Sequence, residues 1–519
     1  MKHLSWNPPV ELDKLELKIV KRLNRTGKLF VFLRQHRHAL FDDAFQAELA
    51  TMYSDIPRGA PVAPAFLAMV TLVQAYVQRS DAGAVEDAVF DARWRMVLGL
   101  NDAGKPGFSQ GVLVDFRRRL VEHDMDRKLV ERTIGLAKET GAFGAAKLRV
   151  ALDSAPLWGA GRVEDTFNLV AHATRLVISC AAAVIECKPE DVRKQAGLTL
   201  FAGHSVKAAL DIDWADKAQQ TAALNKLLGE VSTLRAWLDD NIKEDPQPTK
   251  LVEALATLEQ VIEQDIEPDP EGGGSRITRG TSANRRISIT DPDMRHGRKS
   301  SSRVINGYKR HVAVDMTTGL VLATAVRPAN EREHVAMDED LKPDIERIGE
   351  TDELHIDRGY LAGSWVRELD AAKKRVVSKH WVRSLGGRFS KNDFKIDVPG
   401  GVVTCPAGRT ANIRGGNTAQ FSRSNCSSCS LRIRCTKAEY RSVQIHKDEA
   451  LLQRFKQELQ TPEGRQERRE RVVVEHVLAH VTRRQGRRAR YLGQRKNLFD
   501  LRRTVVIENL AVMQRQFAA

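Results

Sequence analysis

Three stretches of the sequence decide its fold: Lys147-Leu-Arg-Val-Ala-Leu-Asp153, Glu353-Leu-His-Ile-Asp357 and Arg471-Val-Val-Val-Glu475. In the first two, a strand-like apolar run ends at an aspartate. The third carries a glutamate among arginines, in a segment whose valines recur at helical spacing. Acids supplied by two strands and a helix provide the oxygen ligands that two Mg²⁺ ions need for phosphoryl transfer. The alternative is coincidence, because 67 acidic residues will supply three acids somewhere.

Length and charge limit the class of protein. A chain of 519 residues is too long for one simple core and predicts two to four domains. The net charge of +15 indicates a polyanionic partner, and double-stranded DNA is the polyanion that we expect. No stretch has the apolar length of a membrane span, and the segment Met1–Pro9 lacks the apolar core of a signal peptide. We therefore predict a cytoplasmic, nucleoid-associated protein with no membrane partner.

The order of the remaining elements predicts a ribonuclease-H-like core. Strand patterns at Tyr308–Asp315 and Gly319–Val326 are followed by a helix around residues 334–348, the strand Glu353–Ile356, a helix near residues 364–373 and the strand Arg375–Ser378. Together with the strand before Asp153, this is the strand and helix order of that fold. Its first and fourth strands are neighbours, so Asp153 and Asp357 should meet at one sheet edge.

The domain organisation that we predict is multidomain, with a helical insertion in an α/β core. It comprises a helical DNA-binding domain at 1–145; the catalytic core at 146–160 and 300–385; a mostly helical insertion with a flexible linker at 161–299; a cysteine-rich zinc-binding insertion at 386–455; and a basic helical region at 456–519 that completes the core. The linker is predicted from Glu267-Pro-Asp-Pro-Glu-Gly-Gly-Gly-Ser275.

Four of the six cysteines lie close together in the sequence. They are Cys405, Cys426, Cys429 and Cys435. A Cys-x-x-Cys pair with two further thiolates is typical of a structural zinc site. The alternative is chance clustering of reduced thiols, because the outer spacing is less regular than in a zinc ribbon.

Two groups of arginines are candidate phosphate contacts, each with a simpler alternative. Arg117, Arg118 and Arg119 form a basic face on a predicted helix that could equally be a solvated cluster. In the C-terminal region the candidates are Arg471, Arg483, Arg484, Arg487 and Arg488, and Glu475 could be a surface acid that pairs with Arg471. Trp381, beyond the last strand, could stack on a displaced base or be a core residue.

At these motifs the chain resembles DDE-type transposases of bacterial insertion sequences, most closely the IS1182 family, which is related to the IS4- and IS5-type enzymes. The matching segments also include Thr290–Asp293, Gly307–Asp315, Pro328–Asn330 and Asp357-Arg-Gly-Tyr360. The resemblance implies that Asp153, Asp357 and Glu475 bind two Mg²⁺ or Mn²⁺ ions per active site. The IS4-type signature has a tyrosine and a lysine where this chain has Arg468 and Thr482, so the supporting roles differ.

The function that the resemblance implies is DNA transposition. The enzyme would bind terminal inverted repeats, cleave at the element ends and join the 3′-hydroxyl ends to target DNA, as a homodimer or higher oligomer. Two other functions stay open from the sequence. One is a non-catalytic, transposase-derived DNA-binding regulator. The other is a metal-dependent nuclease of the same fold, which would cut DNA without joining it.

Overall fold

The structure is a computed structural model of the chain. It describes residues 4–23, 27–56, 60–100, 104–144, 147–243, 248–272, 274–298, 303–379, 386–415 and 417–517. These residues form a mixed helical and β-sheet, multidomain fold.

The region before the first strand is helical. α4 opens with Pro64 at its first position and is buried from Pro64 to Gln74, which its uniformly apolar sequence predicts. Side-chain oxygens of Ser80, Asp91 and Ser109 cap α5, α6 and α7. Helices α1 to α8 span Lys14–Arg22, Lys28–Leu40, Asp43–Ala50, Pro64–Val77, Asp81–Phe90, Ala92–Leu98, Gln110–Glu122 and Met125–Glu139.

The first strand, β1, is Lys147–Trp158, and the segment after it has its own apolar core. α9 is long and apolar enough to cross a membrane, but more than half of it is buried in this core. β2 pairs with β3 as an antiparallel hairpin, at the place where the sequence predicts a linker. Asn225 in α12 fixes the hairpin, because it accepts a hydrogen bond from the Ser275 backbone N–H at 2.8 Å. The elements are α9 Thr166–Val184, α10 Pro189–Gln195, α11 Val206–Leu210, α12 Lys217–Asn241, α13 Thr249–Asp265, β2 Ile266–Pro268 and β3 Ser275–Ile277.

The next segment supplies the other strands of the main sheet. They and the intervening helices are β4 Arg295–Arg298, β5 Val304–Asp315, β6 Val321–Pro328, α14 Glu333–Ala336, α15 Lys342–Glu346, β7 Glu350–Ile356, α16 Ser364–Ala371 and β8 Arg375–Ser378. A π-helical turn, Met337–Leu341, joins α14 to α15. Pro343 explains this turn, since proline has no N–H to donate to the preceding turn of an α-helix.

The sheet order is β4-β5-β1-β7-β8, with β6 also paired to β5. β1 is parallel to β7 and antiparallel to β5. The strands that lead to Asp153 and Asp357 are therefore direct neighbours. The prediction that β1 ends at Asp153 is wrong, because pairing with β5 continues to Trp158. What ends near Asp153 is the pairing with β7, whose last partners are Ala151 and His355.

The cysteine-rich segment forms a separate antiparallel sheet of order β13-β12-β11-β10-β9. Phe394, Val403, Phe421 and Val443 are buried in its small core. The elements are β9 Lys395–Asp397, β10 Val402–Thr404, β11 Thr410–Arg414, β12 Thr418–Gln420, α17 Arg423–Ser427, α18 Arg432–Cys435 and β13 Ser442–Gln444.

Four helices end the chain: α19 Glu449–Glu458, α20 Pro462–Glu470, α21 Val472–Gln485 and α22 Gln494–Phe517. α22 is buried from Phe499 to Met513 and packs against β6, α4 and α8. One apolar core therefore runs from the N-terminal helices through α22 to the main sheet.

Candidate active site

Asp153 lies in β1 where the strand separates from β7. Its carboxylate accepts a hydrogen bond from the Ser154 backbone N–H at 2.9 Å and pairs with Arg471 Nη2 at 2.8 Å. Burial raises the pKa of Asp153, and the Arg471 charge opposes that rise. The carboxylate is therefore held in a place where its charge is poorly solvated by water.

Asp357 and Glu475 complete an acidic group around Arg471. Asp357 directly follows β7 and is the N-cap residue of a 3₁₀ turn, Arg358–Tyr360. Glu475 lies in the first turn of α21. Both side chains are exposed enough to meet a ligand, and both face the same guanidinium.

Arg471 stands between α20 and α21 and contacts all three acids. Besides its bond to Asp153, its Nη1 lies 3.2 Å from Glu475 Oε1 and 3.6 Å from Asp357 Oδ1. Nη2 also donates to the Leu152 carbonyl at 3.0 Å, and the side chain is only 10% exposed. The structure thus brings Asp153, Asp357 and Glu475 together around one internal cation.

The chemistry of this group fits a hard divalent ion, because every ligand is a carboxylate oxygen and all three converge on a positive charge. Arg471 holds that position here. Among the residues that the structure describes, no group of three or more His, Cys, Asp or Glu side chains is arranged to hold a metal ion. A metal ion placed between these acids would lie close to the Arg471 guanidinium.

A cavity of about 410 Å³ opens beside two of the acids. Its lining includes Asp357, Glu475 and Arg471 together with Lys379, Arg468, Arg469 and His355. Cations at the rim of such a cavity can bind an anionic group such as a phosphate.

His355 forms part of the floor of this cavity and is fully buried. Its Nε2 bonds Glu353, while its Nδ1 has no hydrogen-bond partner among the described residues. Hydrogen bonds from His355 and Arg149 lower the pKa of Glu353 to about 2. Arg149 also pairs with Glu470 at 2.6 Å, so this ion-pair group joins β1, β7 and α20 beneath the acids.

A second polar group lies next to the acids and includes Ser154, Glu333, His311 and Tyr360. Ser154 Oγ donates to Glu333 Oε1 at 2.7 Å, and the Tyr360 hydroxyl lies 2.8 Å from His311 Nδ1. Burial lowers the pKa of His311 to about 3 and raises that of Tyr360. Tyr360 and His311 lie in motifs that carry the family resemblance, whereas nothing in the sequence points to Glu333.

The arginines predicted on α7 do not form one exposed basic face. Arg117 pairs with Asp81 at 2.6 Å, and Arg119, only 9% exposed, pairs with Asp55 at 2.8 Å. Acids on neighbouring elements take up both charges, and contact of these arginines with DNA stays a prediction. Arg118 is 50% exposed, and its partners among the described residues, Asp115 and Glu122, lie on its own helix.

The C-terminal arginines differ in whether their side chains already have partners within the protein. Arg484 pairs with the buried Glu508, and exposed Arg488 donates to the Gly159 and Ala160 carbonyls. Arg483 and Arg487 are exposed, and no side-chain partner for either occurs among the described residues. Trp381 lies outside the described residues.

Cys405, Cys426, Cys429 and Cys435 line one small pocket. All four are free thiols, and burial raises the pKa of Cys435, with its three neighbours acting in the same direction. The thiols are therefore grouped, but no metal-holding arrangement occurs among the described residues. The zinc site stays a prediction.

Comparison with known families gives one finding. Residues 404–514 match the family model of a transposase DDE domain. The matched segment contains Arg471 and Glu475 and begins just before Cys405, whereas Asp153 and Asp357 precede it. The match supports a DDE-type transposase. No curated protein and no solved structure matches the chain.

Proposed function

We propose that this chain is the transposase of a bacterial insertion sequence, similar to the IS1182 family. It would bind the terminal inverted repeats, cleave at the element ends and join the 3′-hydroxyl ends to target DNA. The observation that carries the proposal is the convergence of Asp153, Asp357 and Glu475 on Arg471, beside a basic cavity. Glu475 lies inside the segment that matches the transposase domain.

Asp153, Asp357 and Glu475 are the residues that would hold the cofactor, two Mg²⁺ or Mn²⁺ ions. When bound, such ions stabilise negative charge on the attacking and leaving oxygens of an in-line displacement. The carboxylates would orient the site, and Arg471 would turn to the phosphate once it is released from them. Lys379, Arg468 and Arg469 line the cavity and would hold neighbouring phosphates.

The proposed catalytic core is ribonuclease-H-like. The neighbouring order β6-β5-β1-β7-β8, with β5 antiparallel to β1 and β7 parallel to it, supports this assignment. The separate apolar core of α9 to α13 supports a helical insertion between the first two strands. The grouping of the four thiols supports a structural zinc module.

Cleavage and joining of labelled end DNA test the proposal. A duplex that carries an element end should be cut and joined to a target plasmid when Mg²⁺ is added. Asp153→Ala, Asp357→Ala and Glu475→Ala should each lower the rate by about 10³-fold or more, roughly 4 kcal/mol of barrier, while the DNA still binds. Asp352→Ala removes a partly exposed acid from β7, the strand that leads to Asp357, and serves as the control.

The possible outcomes separate three functions. Cutting with joining supports the transposase. Cutting without joining would identify a nuclease. Specific end binding with no cleavage by the unmodified protein, under any divalent ion, would identify a DNA-binding regulator. Assembly of two or more chains on paired ends would support the proposed synaptic oligomer.

A further inference from the structure

Glu333 lies outside the acid triad but contacts the segments that carry two of its members. It is the first residue of α14, just after β6. Its Oε1 accepts a hydrogen bond from Ser154 Oγ at 2.7 Å. Ser154 follows Asp153 and donates its backbone N–H to the Asp153 carboxylate at 2.9 Å. Glu333 is therefore one side chain away from Asp153.

The second oxygen of Glu333 lies against the turn that begins at Asp357. A Cβ atom built on Gly359 would come 1.8 Å from Glu333 Oε2 and 2.7 Å from its Cδ. A side chain at position 359 would therefore force the Glu333 carboxylate to move, and glycine allows the close approach. One carboxylate thus touches both the strand of Asp153 and the turn of Asp357.

A second contact holds the turn that Glu333 touches. Tyr360, the last residue of the turn, is fully buried and lies 2.8 Å from His311 Nδ1 on β5. Burial raises the pKa of Tyr360, and the nearby charges of Glu333 and Asp153 raise it further. The turn is therefore anchored on one side by His311 and on the other by Glu333.

We propose that Glu333 is a positioning residue of the active site, which holds the Asp153 strand and the Asp357 turn at a fixed separation. Both acids can then face one cation, as they face Arg471 here. This inference rests on the proposed function, in which Asp153 and Asp357 bind divalent ions. Glu333 acts through its bond to Ser154 and its contact with Gly359, without binding the ion itself.

Mn²⁺ affinity, measured by calorimetry on the full-length protein, tests the role of Glu333. Glu333→Ala should weaken Mn²⁺ binding by about tenfold or more, as loss of a residue that orients metal ligands commonly does. Glu333→Gln keeps an acceptor for Ser154 and should bind Mn²⁺ almost normally. Glu333→Asp keeps the charge but shortens the reach, so it should resemble Glu333→Ala. Glu339→Ala, an exposed acid in the adjacent π-helical turn, is the control.

The contact with Gly359 allows an independent test. Gly359→Ala should lower both the melting temperature and the Mn²⁺ affinity, because its methyl group would meet the Glu333 carboxylate. Adding Glu333→Ala should remove that collision and restore part of the melting temperature. The two changes should therefore be strongly non-additive.

Three results would overturn the inference. One is a Glu333→Ala protein with a lower melting temperature but unchanged Mn²⁺ affinity. Another is a Glu333→Gln protein whose Mn²⁺ affinity is as low as that of Glu333→Ala. The effect would then come from the negative charge of Glu333 rather than from its bond to Ser154. The third is additivity of Gly359→Ala and Glu333→Ala. If Asp153→Ala also left Mn²⁺ binding unchanged, the proposed function would fail as well, so the two failures are distinguishable.

Discussion

At the scale of single residues, Arg471 is the cation that contacts all three acids of the proposed site. Its guanidinium contacts three carboxylates and offsets part of their mutual repulsion. A divalent ion held by these three carboxylates would lie close to the Arg471 guanidinium, so we expect the two cations to compete. The same side chain that stabilises the metal-free protein should therefore weaken its affinity for metal.

Replacing Arg471 by Gln should separate these two effects. Without Mg²⁺ the variant should be less stable by about 2 kcal/mol, mainly because the buried Asp153 charge loses its partner. With saturating Mn²⁺ it should gain more melting temperature than the unmodified protein does. Melting curves with and without Mn²⁺ measure both effects, and Arg465→Gln, an exposed arginine of α20, is the control. Equal Mn²⁺ stabilisation of both proteins would contradict the competition.

Glu353 should make the stability of the core depend on pH. Its hydrogen bonds to His355 and Arg149 lower its pKa to about 2 in the folded protein. A lowered carboxyl pKa adds stability above the unfolded value of about 4.3, and this stability is lost as the pH falls towards 2. Glu353→Gln should therefore be less stable at pH 7, by at most about 3 kcal/mol. The difference in melting temperature between the two proteins should shrink between pH 4.5 and pH 2.5.

At the scale of elements, the sequence predicted those features that depend on local pattern. The strands before Asp153 and Asp357 and the helix of Glu475 were predicted from their apolar runs and helical spacing. The extension of β1 to Trp158 was not, because the strand that supports it, β5, lies far along the chain. For the same reason the partners of Arg117 and Arg119, which lie on other elements, could not be predicted.

The arginines of α7 should differ in their effects on stability. Arg119 donates to the Met52 carbonyl and Asp55 and lies over the Tyr53 ring, 4.7 Å from its centre. Arg119→Ala should therefore destabilise the protein by about 2 kcal/mol, through an unpaired carbonyl and lost packing. Arg118→Ala, on the same helix but exposed, should change stability by about 0.5 kcal/mol or less. Urea unfolding followed by helical circular dichroism would test this, and equal losses would contradict it.

The cysteine-rich sheet should depend on bound zinc for its stability. Its apolar core is small, and Cys405, Cys426 and Cys435 pack against it. Metal analysis should find about one zinc per chain, lost when Cys429 and Cys435 are changed to serine. Cys180→Ser, in α9, should leave the zinc content unchanged and is the control. If the metal-free protein is as stable as the purified protein, the four cysteines are clustered thiols and not a structural zinc site.

At the scale of the whole molecule, the packing of α22 limits how the proposed DNA-binding regions can be tested. It packs against α4 and α8 on one side and β6 on the other. Its Arg502 pairs with Asp124 and Asp126 of the N-terminal region. Deleting residues 1–140 would expose this helix and unfold the core, so point substitutions are the better test of which surface contacts DNA.

Acids inside the fold pair with many arginines, so only some of the 82 lysine and arginine side chains are available to contact DNA. Arg483 and Arg487 are exposed with no side-chain partner among the described residues, and they flank the end of α21, the helix of Glu475. We therefore expect these two to contact phosphates near the scissile bond.

Changing Arg483 and Arg487 together to Gln should weaken binding to element ends and to random duplex alike, since phosphate contacts carry no sequence information. The slope of log affinity against log salt should become shallower by about two, close to one unit for each lost contact. Lys188→Gln with Lys194→Gln removes the same charge from exposed positions at the two ends of α10 and is the matched control. Equal changes of slope in both pairs would show that total charge, rather than a surface beside the acids, governs binding.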